Sequence, residues 1–562
     1  MTRQPKAPLR SLFAVLLGGL LLAVAVVLAA AERPPKAAIA SAHPLATTAG
    51  FEVLEAGGNA FDAAVAVSAV LAVVEPYSSG LGGGGFWLLH RAADGHEILL
   101  DGRERAPLGA GPDMYLGSDG GFVPERSLDG PLAAGIPGEP AALVHLAEHY
   151  GRLPLERTLR RAIRLARDGF PADGQYRRFA GWRLDLLRQW PAGAAQFLVD
   201  GEVPPEGALI RQPDLADTLE RFAREGRDGF YAGPTAERLV AGVREAGGIW
   251  TLEDLAAYEV LERAPLVGRY RGWRVVSAGP PSSGGVLLVQ MLNMLSGYEL
   301  GDLSPADRAH LLVEIMRRSY RDRALYLGDP DFVEIPVERL THPFYAAGLA
   351  RDIRPDRATA SVPASPRAEG EDTTHFSILD REGNRVAATL SINYPFGSGF
   401  VPPGTGVLLN DEMDDFSAQP GAPNAYGLVG GEANAIAPGK RMLSSMTPTF
   451  VESDRGVAVL GTPGGSRIIT MVLGGVLALD AGQDPADWVA KSRFHHQYLP
   501  DEVQHEARAF TDADRRSLQA KGHRLREISD GFGNMQAIYW DRLQGRVRAA
   551  SDPRGVGRAE VR

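Results

Sequence analysis

The hydroxyl and carboxyl groups between positions 372 and 467 are the ones whose spacing could do chemistry. Two alternating, β-branched-rich runs, Thr373–Leu379 and Arg385–Ile392, flank Asp380-Arg381-Glu382-Gly383-Asn384 and predict a β-hairpin. A hairpin centred on Glu382 sets Thr373 directly opposite Ser391 on one face, so two hydroxyls meet at its open end. A pair of this kind is by itself also what strands favour, because hydroxyl residues suit a pleated surface. The context adds chemistry. A polar, Pro-containing connection over 354–372, which reads as exposed and mobile, runs straight into Thr373. Hydrolysis of the Asp372–Thr373 bond would turn the threonine nitrogen into an α-amine, with a reference pKa of about 8. Nucleophile and base would then share one residue.

Acyl transfer also needs a place for negative charge on oxygen. Val457–Gly461 reads as a strand, and Thr462-Pro463-Gly464-Gly465-Ser466-Arg467 turns it into an apolar helix beginning near Ile468. Glycine N–H groups at such a helix start could hold an oxyanion, although an ordinary strand-to-helix turn has the same sequence. Ser444-Ser445, before Thr447-Pro448, fits a turn, a helix cap or a substrate contact. Asp414-Asp415 suits metal binding, acid/base work, an ammonium receptor or an acidic surface loop. No ligand set completes a metal site. His495-His496 lacks the partner pattern of a zinc site and is read as packing or surface histidines.

These groups must be positioned by a large core. Apolar residues recur at helical spacing through Ala46–Ala56 and Ala60–Val74, with Gly57-Gly58 between them as a stop. Pro76 and Gly82–Gly85 break the pattern. Phe86–His90 and Glu97–Leu100 then read as paired strands leading to Asp101-Gly102-Arg103-Glu104-Arg105, and a mostly helical middle spans 139–350. The 562-residue chain is 44% hydrophobic and 23% charged, as expected of a globular protein. Its net charge of -10 and lack of a basic stripe argue against nucleic acid as a partner. The absence of cysteine excludes disulfides and thiolate chemistry. Lys6 and Arg10 precede an apolar run from Ser11 to Ala31, ending Ala29-Ala30-Ala31-Glu32. This predicts an exported protein, periplasmic or secreted, whose residues 1–31 are either a cleaved signal peptide or an uncleaved anchor over 11–31.

Several motifs, taken in order, resemble the gamma-glutamyltransferase (glutathione hydrolase) family along nearly the whole exported length. They are Gly57-Gly58-Asn59-Ala60, Leu81-Gly82-Gly83-Gly84-Gly85-Phe86, Pro280-Pro281-Ser282-Ser283-Gly284-Gly285, Thr373-Thr374-His375-Phe376-Ser377, Tyr426-Gly427-Leu428-Val429-Gly430-Gly431, Leu443-Ser444-Ser445-Met446, Pro463-Gly464-Gly465-Ser466-Arg467 and Ser551-Asp552-Pro553-Arg554. The resemblance implies an α+β fold, the four-layer αββα sandwich of N-terminal nucleophile hydrolases. It also implies cleavage between Asp372 and Thr373 into a large chain, 32–372, and a small chain, 373–562, which remain together as a heterodimer. Glutathione and other gamma-glutamyl compounds would be the donors, water, amino acids or dipeptides the acceptors, and no cofactor or metal would be needed.

By position, Thr373 matches the family's nucleophile, and Ser391 falls where a second threonine hydrogen-bonds the nucleophile's amine. Arg103 matches the arginine that clamps the substrate α-carboxylate, with Ser444 and Ser445 near it. Asp415 matches the receptor of the α-ammonium, with Asn393 and Glu412 beside it. Gly464 and Gly465 match the oxyanion hole. The segment 420–434, centred on Tyr426, resembles the loop that lids the pocket, and its length argues against cephalosporin-acylase-like relatives in which that loop is short. Tyr394-Pro395 and Glu75-Pro76-Tyr77-Ser78-Ser79 depart from the family pattern.

Overall fold

A computed structural model of the chain describes residues 33–361, 373–417, 428, 430–529 and 531–562. The N-terminal apolar run, Asp372 and Tyr426 lie outside the described residues.

The expected hairpin forms, with strands Thr374–Leu379 and Arg385–Ser391. Arg385 stands opposite Leu379 and Leu390 opposite Thr374, so the next pair outward is Thr373 and Ser391. The hairpin is central in a seven-stranded antiparallel sheet, ordered Arg558–Val561, Ala38–Ser41, Thr374–Leu379, Arg385–Ser391, Gly84–Arg91, His96–Gly102 and Leu261–Arg263. A six-stranded sheet faces it, ordered Arg546–Ser551, Gln536–Asp541, Gly456–Gly461, Thr449–Ser453, Trp273–Ser277 and Leu266–Tyr270. Both sheets interleave strands from before and after position 373.

Period-two alternation divides each inner strand between two cores. In Gly84–Arg91, Phe86 and Leu88 join Val276, Phe450, Val459 and Ile538 between the sheets, whereas Trp87 and Leu89 face the helices outside. Helices Pro44–Glu55 and Ala60–Val74 cover one outer face, and Gly284–Leu295, Pro305–Tyr326 and Ile468–Asp480 cover the other. The result is the four-layer αββα sandwich of an N-terminal nucleophile hydrolase fold.

Ala60–Val74 is buried along its entire length and is small or apolar apart from Asp62, which serves its cap. Its start is fixed by a capping box. The Asn59 side-chain oxygen accepts from the N–H groups of Phe61 and Asp62 at 2.9 and 3.0 Å, while the Asp62 carboxylate accepts from the Asn59 N–H at 2.9 Å. Its other end is Glu75.

Two features differ from the sequence reading. The helical middle contains the hairpin Leu266–Tyr270/Trp273–Ser277, turned by Arg271 and Gly272 at φ 45° and 87°. Five-residue strands are too short to stand out in a helix-rich region, yet the two positive φ values are those of a tight hairpin turn. The connection after residue 354 is tethered in its described part. Thr359 gives its N–H to Glu314 at 3.0 Å, and Ser361 gives its N–H to Asp501 at 2.8 Å.

An ionic lock joins the two sheets at one edge. Arg385, buried on the first sheet, reaches Glu452 of the second at 2.5 Å, and Arg274 of the second reaches Glu97 of the first at 2.5 Å. Removing the Arg385 guanidinium leaves carboxylates in a poorly hydrated edge. Arg385→Ala is therefore expected to cost about 3 kcal/mol of stability, read as a lower urea midpoint. An unchanged midpoint would show that the lock contributes nothing.

Candidate active site

Thr373 sits at the head of the central hairpin and is 5% exposed. Its neighbour Thr374 hydrogen-bonds through Oγ1 to Glu75 Oε2 at 2.8 Å, which fixes the backbone immediately after Thr373. Ser391 lies on the adjacent strand. A side chain at Gly83 would place its first carbon 2.2 Å from the Ser391 carbonyl oxygen, so the glycine run lets a backbone pass directly behind Ser391. The Ser391 hydroxyl accepts from the Asn393 N–H at 2.7 Å. Asn393 adopts the left-handed region at φ 72°, which asparagine tolerates, and donates its side-chain amide to the Asp411 carbonyl at 3.0 Å.

Arg103 leaves the end of the His96–Gly102 strand and is 1% exposed. Its guanidinium donates to Glu412 at 2.6 Å, to Asp415 at 2.5 Å, and to the Met442 carbonyl at 3.3 Å. Glu412 and Asp415 share a single 3-10 turn, which aims both carboxylates at one guanidinium. A third acid, Glu104, stands 3.4 Å from Arg103. Burial and the Glu412 charge push the Glu104 carboxyl well above the usual carboxylate range. Burial and the Asp415 charge, opposed by Arg103, push Glu412 up to about 7. Glu412 Oε1 has no hydrogen-bond partner among the described residues. A second buried guanidinium, that of Arg323, interacts electrostatically with Asp415 and Arg103 and so shares in this charge cluster.

The opposite wall is made by Ser444 and Ser445. The Ser444 carbonyl accepts from the Ser283 N–H at 2.8 Å, and Ser445 Oγ accepts from Arg323 at 3.2 Å. Gly464 and Gly465 turn the Gly456–Gly461 strand into the helix at Ile468, with φ 133° and 54°. Those angles require glycine. Neither N–H is given to a protein acceptor among the described residues. Tyr320 bonds the Ser466 carbonyl, and Ser466 Oγ bonds Gln497 at 2.5 Å, so the turn is held from behind.

Thr373, Arg103, Ser391, Asn393, Glu412, Asp415, Ser444, Ser445 and Gly465 line one cavity of about 290 Å3. Gly464 lies on the other side of Thr373, in a second cavity. Residues as far apart in sequence as Arg103 and Gly465 thus line one cavity. Described residue Leu428 also lines the cavity. His495 and His496 are buried and hydrogen-bonded to Thr470, Gln497 and Asp501, as the packing reading expects. Among the described residues no acidic or histidine cluster could hold a metal.

Sequence reasoning missed Arg323, Glu104 and Glu75. Arg323 follows Tyr320 by three and Met316 by seven on a helix whose buried stripe includes both, and a cation on such a stripe is a readable signal. Glu104 adjoins Arg103 without any pattern that separates it from a surface acid.

This geometry coincides with strong sequence and structural relatives. The sequence model described as gamma-glutamyltranspeptidase matches residues 46–561. The glutathione hydrolase proenzyme of Escherichia coli (strain K12) is 42% identical over 533 residues, covering 93% of this chain and 91% of that protein. That of Pseudomonas aeruginosa is 42% identical over 558 residues, covering 97% and 98%. Among solved structures, the cephalosporin acylase of Bacillus halodurans superposes with a TM-score of 0.84 at 28% identity, over 94% of this chain and 96% of that one. The Helicobacter pylori gamma-glutamyltranspeptidase superposes with a TM-score of 0.55 at 40% identity, over 57% of this chain and 92% of that one. The sequence match spans most of the chain and the fold agrees with it, and the chain belongs to the gamma-glutamyltranspeptidase family.

Proposed function

We propose that the chain is cleaved between Asp372 and Thr373 into a large chain, 32–372, and a small chain, 373–562, and that Thr373 then serves as the nucleophile of a gamma-glutamyl hydrolase and transferase. The observation that carries this reading is that Thr373 shares one cavity with Arg103, Glu412 and Asp415. Relatives named glutathione hydrolase proenzyme at 42% identity support glutathione as a donor.

A gamma-glutamyl group carries an α-carboxylate and an α-ammonium. Arg103, with Ser444 and Ser445, receives the first, because a planar guanidinium binds a carboxylate through two donors. Asp415 receives the second, with Asn393 and Glu412 beside it. The γ-carbonyl then lies against Thr373, with its oxygen toward the N–H groups of Gly464 and Gly465. The Thr373 hydroxyl passes its proton to its own α-amine, held by Ser391, and attacks. The amide C–N bond breaks, and the amine leaves with that proton. Water or a second amine resolves the ester. Tyr426 belongs to a loop that would close the pocket. Residues 1–31 serve as an export signal or anchor. Among the described residues no helix is long and apolar enough to cross a membrane.

The likeness to a cephalosporin acylase favours a second reading, an amidase that accepts side chains without an α-ammonium. A glutaryl anilide cleaved faster than a gamma-glutamyl anilide would establish it.

Three outcomes are expected. Purified protein should run as two chains on denaturing gels, the smaller starting at Thr373, whereas Thr373→Ala should stay a single chain with activity lowered on the order of 1000-fold or more. An uncut yet active native protein would refute the proposal. Arg103→Lys keeps the charge but loses the fork, so donor KM should rise roughly 10- to 100-fold, the equivalent of one charge-assisted hydrogen bond. Glu412 gains its proton as pH falls through about 7, and a protonated carboxyl no longer attracts an ammonium group. Donor KM should therefore rise below neutrality, and Glu412→Gln should flatten that limb of the profile.

A further inference from the structure

Helix Ile468–Asp480 carries two adjacent glycines in its interior, where glycine weakens a helix. At Gly475 packing explains the choice, since a first side-chain carbon would lie 2.7 Å from Leu460 Cδ1. At Gly474 that carbon would meet nothing within 4 Å. Gly474 instead opens onto a third cavity, of about 540 Å3, which shares no lining residue with the two that meet at Thr373. Its walls are largely apolar. Leu312 and Met316 come from helix Pro305–Tyr326, Leu473 and Leu477 flank Gly474, and Trp488 and Phe494 follow in the chain.

Two cations stand at its mouth without an anion. Lys491 lines the cavity and has no carboxylate partner among the described residues, and Ser492 beside it makes no side-chain hydrogen bond to them. Arg308, one turn before Leu312, is exposed and equally without a carboxylate. Desolvation, and after it the Arg308 charge, lower the Lys491 ammonium below its ordinary value. Arg493, the third cation on the wall, is already paired with Asp552 and donates to the Phe532 and Val489 carbonyls. An apolar cavity with unpaired cations at its mouth suits a ligand with a hydrocarbon body and one anionic head.

The cavity also backs the Gly464 turn. Met471 lines it and is 5% exposed. A side-chain carbon at Gly464 would lie 2.7 Å from the Met471 terminal methyl, and one at Gly533 would lie 2.4 Å from its sulfur. The flexible thioether therefore fills the space between the cavity and the glycine turn.

We propose that this cavity binds an amphipathic carboxylate of the fatty-acid type, its chain between the two helices and its head at Lys491 and Arg308. Where Gly464 serves the oxyanion, as the gamma-glutamyl reading has it, an occupant also presses Met471 toward that turn and slows the chemical step, leaving the donor pocket untouched.

The test titrates decanoate, below its micelle concentration, into the intact protein by calorimetry. Binding at a single site is expected. Octanoate, two methylenes shorter, should bind roughly tenfold more weakly, and decyltrimethylammonium, with the opposite head, about tenfold more weakly or worse. Gly474→Leu fills the cavity, so it should abolish decanoate binding and leave the release of anilide from a gamma-glutamyl anilide unchanged. Lys491→Gln should weaken decanoate about tenfold, one charge-assisted contact. Saturating decanoate should lower kcat of the native protein roughly tenfold with donor KM unchanged, and have no effect on Gly474→Leu. Decanoate that fails to bind native protein, binds Gly474→Leu as tightly, or is matched by the cationic amphiphile would overturn the site. Binding that leaves kcat unchanged, or raises donor KM alone, would overturn the coupling to Gly464. If Gly474→Leu does not fold, Lys491→Gln at the exposed mouth decides, and undiminished binding by it overturns the site. Native protein that releases no anilide would refute the gamma-glutamyl reading, while calorimetry still decides whether the cavity is a binding site.

Discussion

The site depends on the buried guanidinium of Arg103, held among carboxyl groups. Arg103 is held by Glu412 and Asp415, with Glu104 close behind, in a space where carboxylates ionise reluctantly. Arg323 is a second buried cation nearby, but Arg103 is the one paired directly with these acids, and removing it would leave buried carboxyls without their partner. The arrangement is therefore costly in isolation. On the proposed reading, a zwitterion would add one cation and one anion, its ammonium meeting the acids and its carboxylate the guanidinium.

Every layer of the fold contributes to holding this arrangement. The first sheet delivers Arg103 from one strand end and Thr373 with Ser391 from the hairpin beside it. The second sheet delivers the glycine turn after Gly456–Gly461, braced by Tyr320 from the outer helical layer. Arg323 on that same helix anchors Ser445. The outer helix on the opposite face ends at Glu75, which bonds the residue next to Thr373. Two sheets packed face to face place their strand ends along one rim, and the pocket occupies it.

The hairpin, its register and the buried helix Ala60–Val74 are legible because their patterns are long and nearly unbroken. Thr373 and Ser391 could be paired by counting from Glu382, since a two-residue period leaves no other face for them. Gly464 and Gly465 were visible as a turn, but their left-handed backbone was not. Arg103, Asp415 and Ser444 were legible through motif resemblance; no local pattern separates them from surface residues. The hairpin at 266–277 escaped because its strands are short and its turn carries arginine where asparagine is commoner. Glu75 was passed over as a variable stretch because its meaning comes from contact with Thr374, nearly 300 positions away.

The interleaving of the two sheets governs what a cut at Thr373 would mean for assembly. In the first sheet, Ala38–Ser41 lies between Arg558–Val561 and Thr374–Leu379, and Arg385–Ser391 pairs with Gly84–Arg91. A severed chain would keep all of these ladders, so neither piece could depart without dismantling both hydrophobic interiors. Before the cut, the halves meet at the high effective concentration of a tether; afterwards, a denatured pair would have to find each other by diffusion. Assembly is then a one-way event: the polypeptide must reach its native state while whole, and the severed protein persists by the slowness of its unfolding.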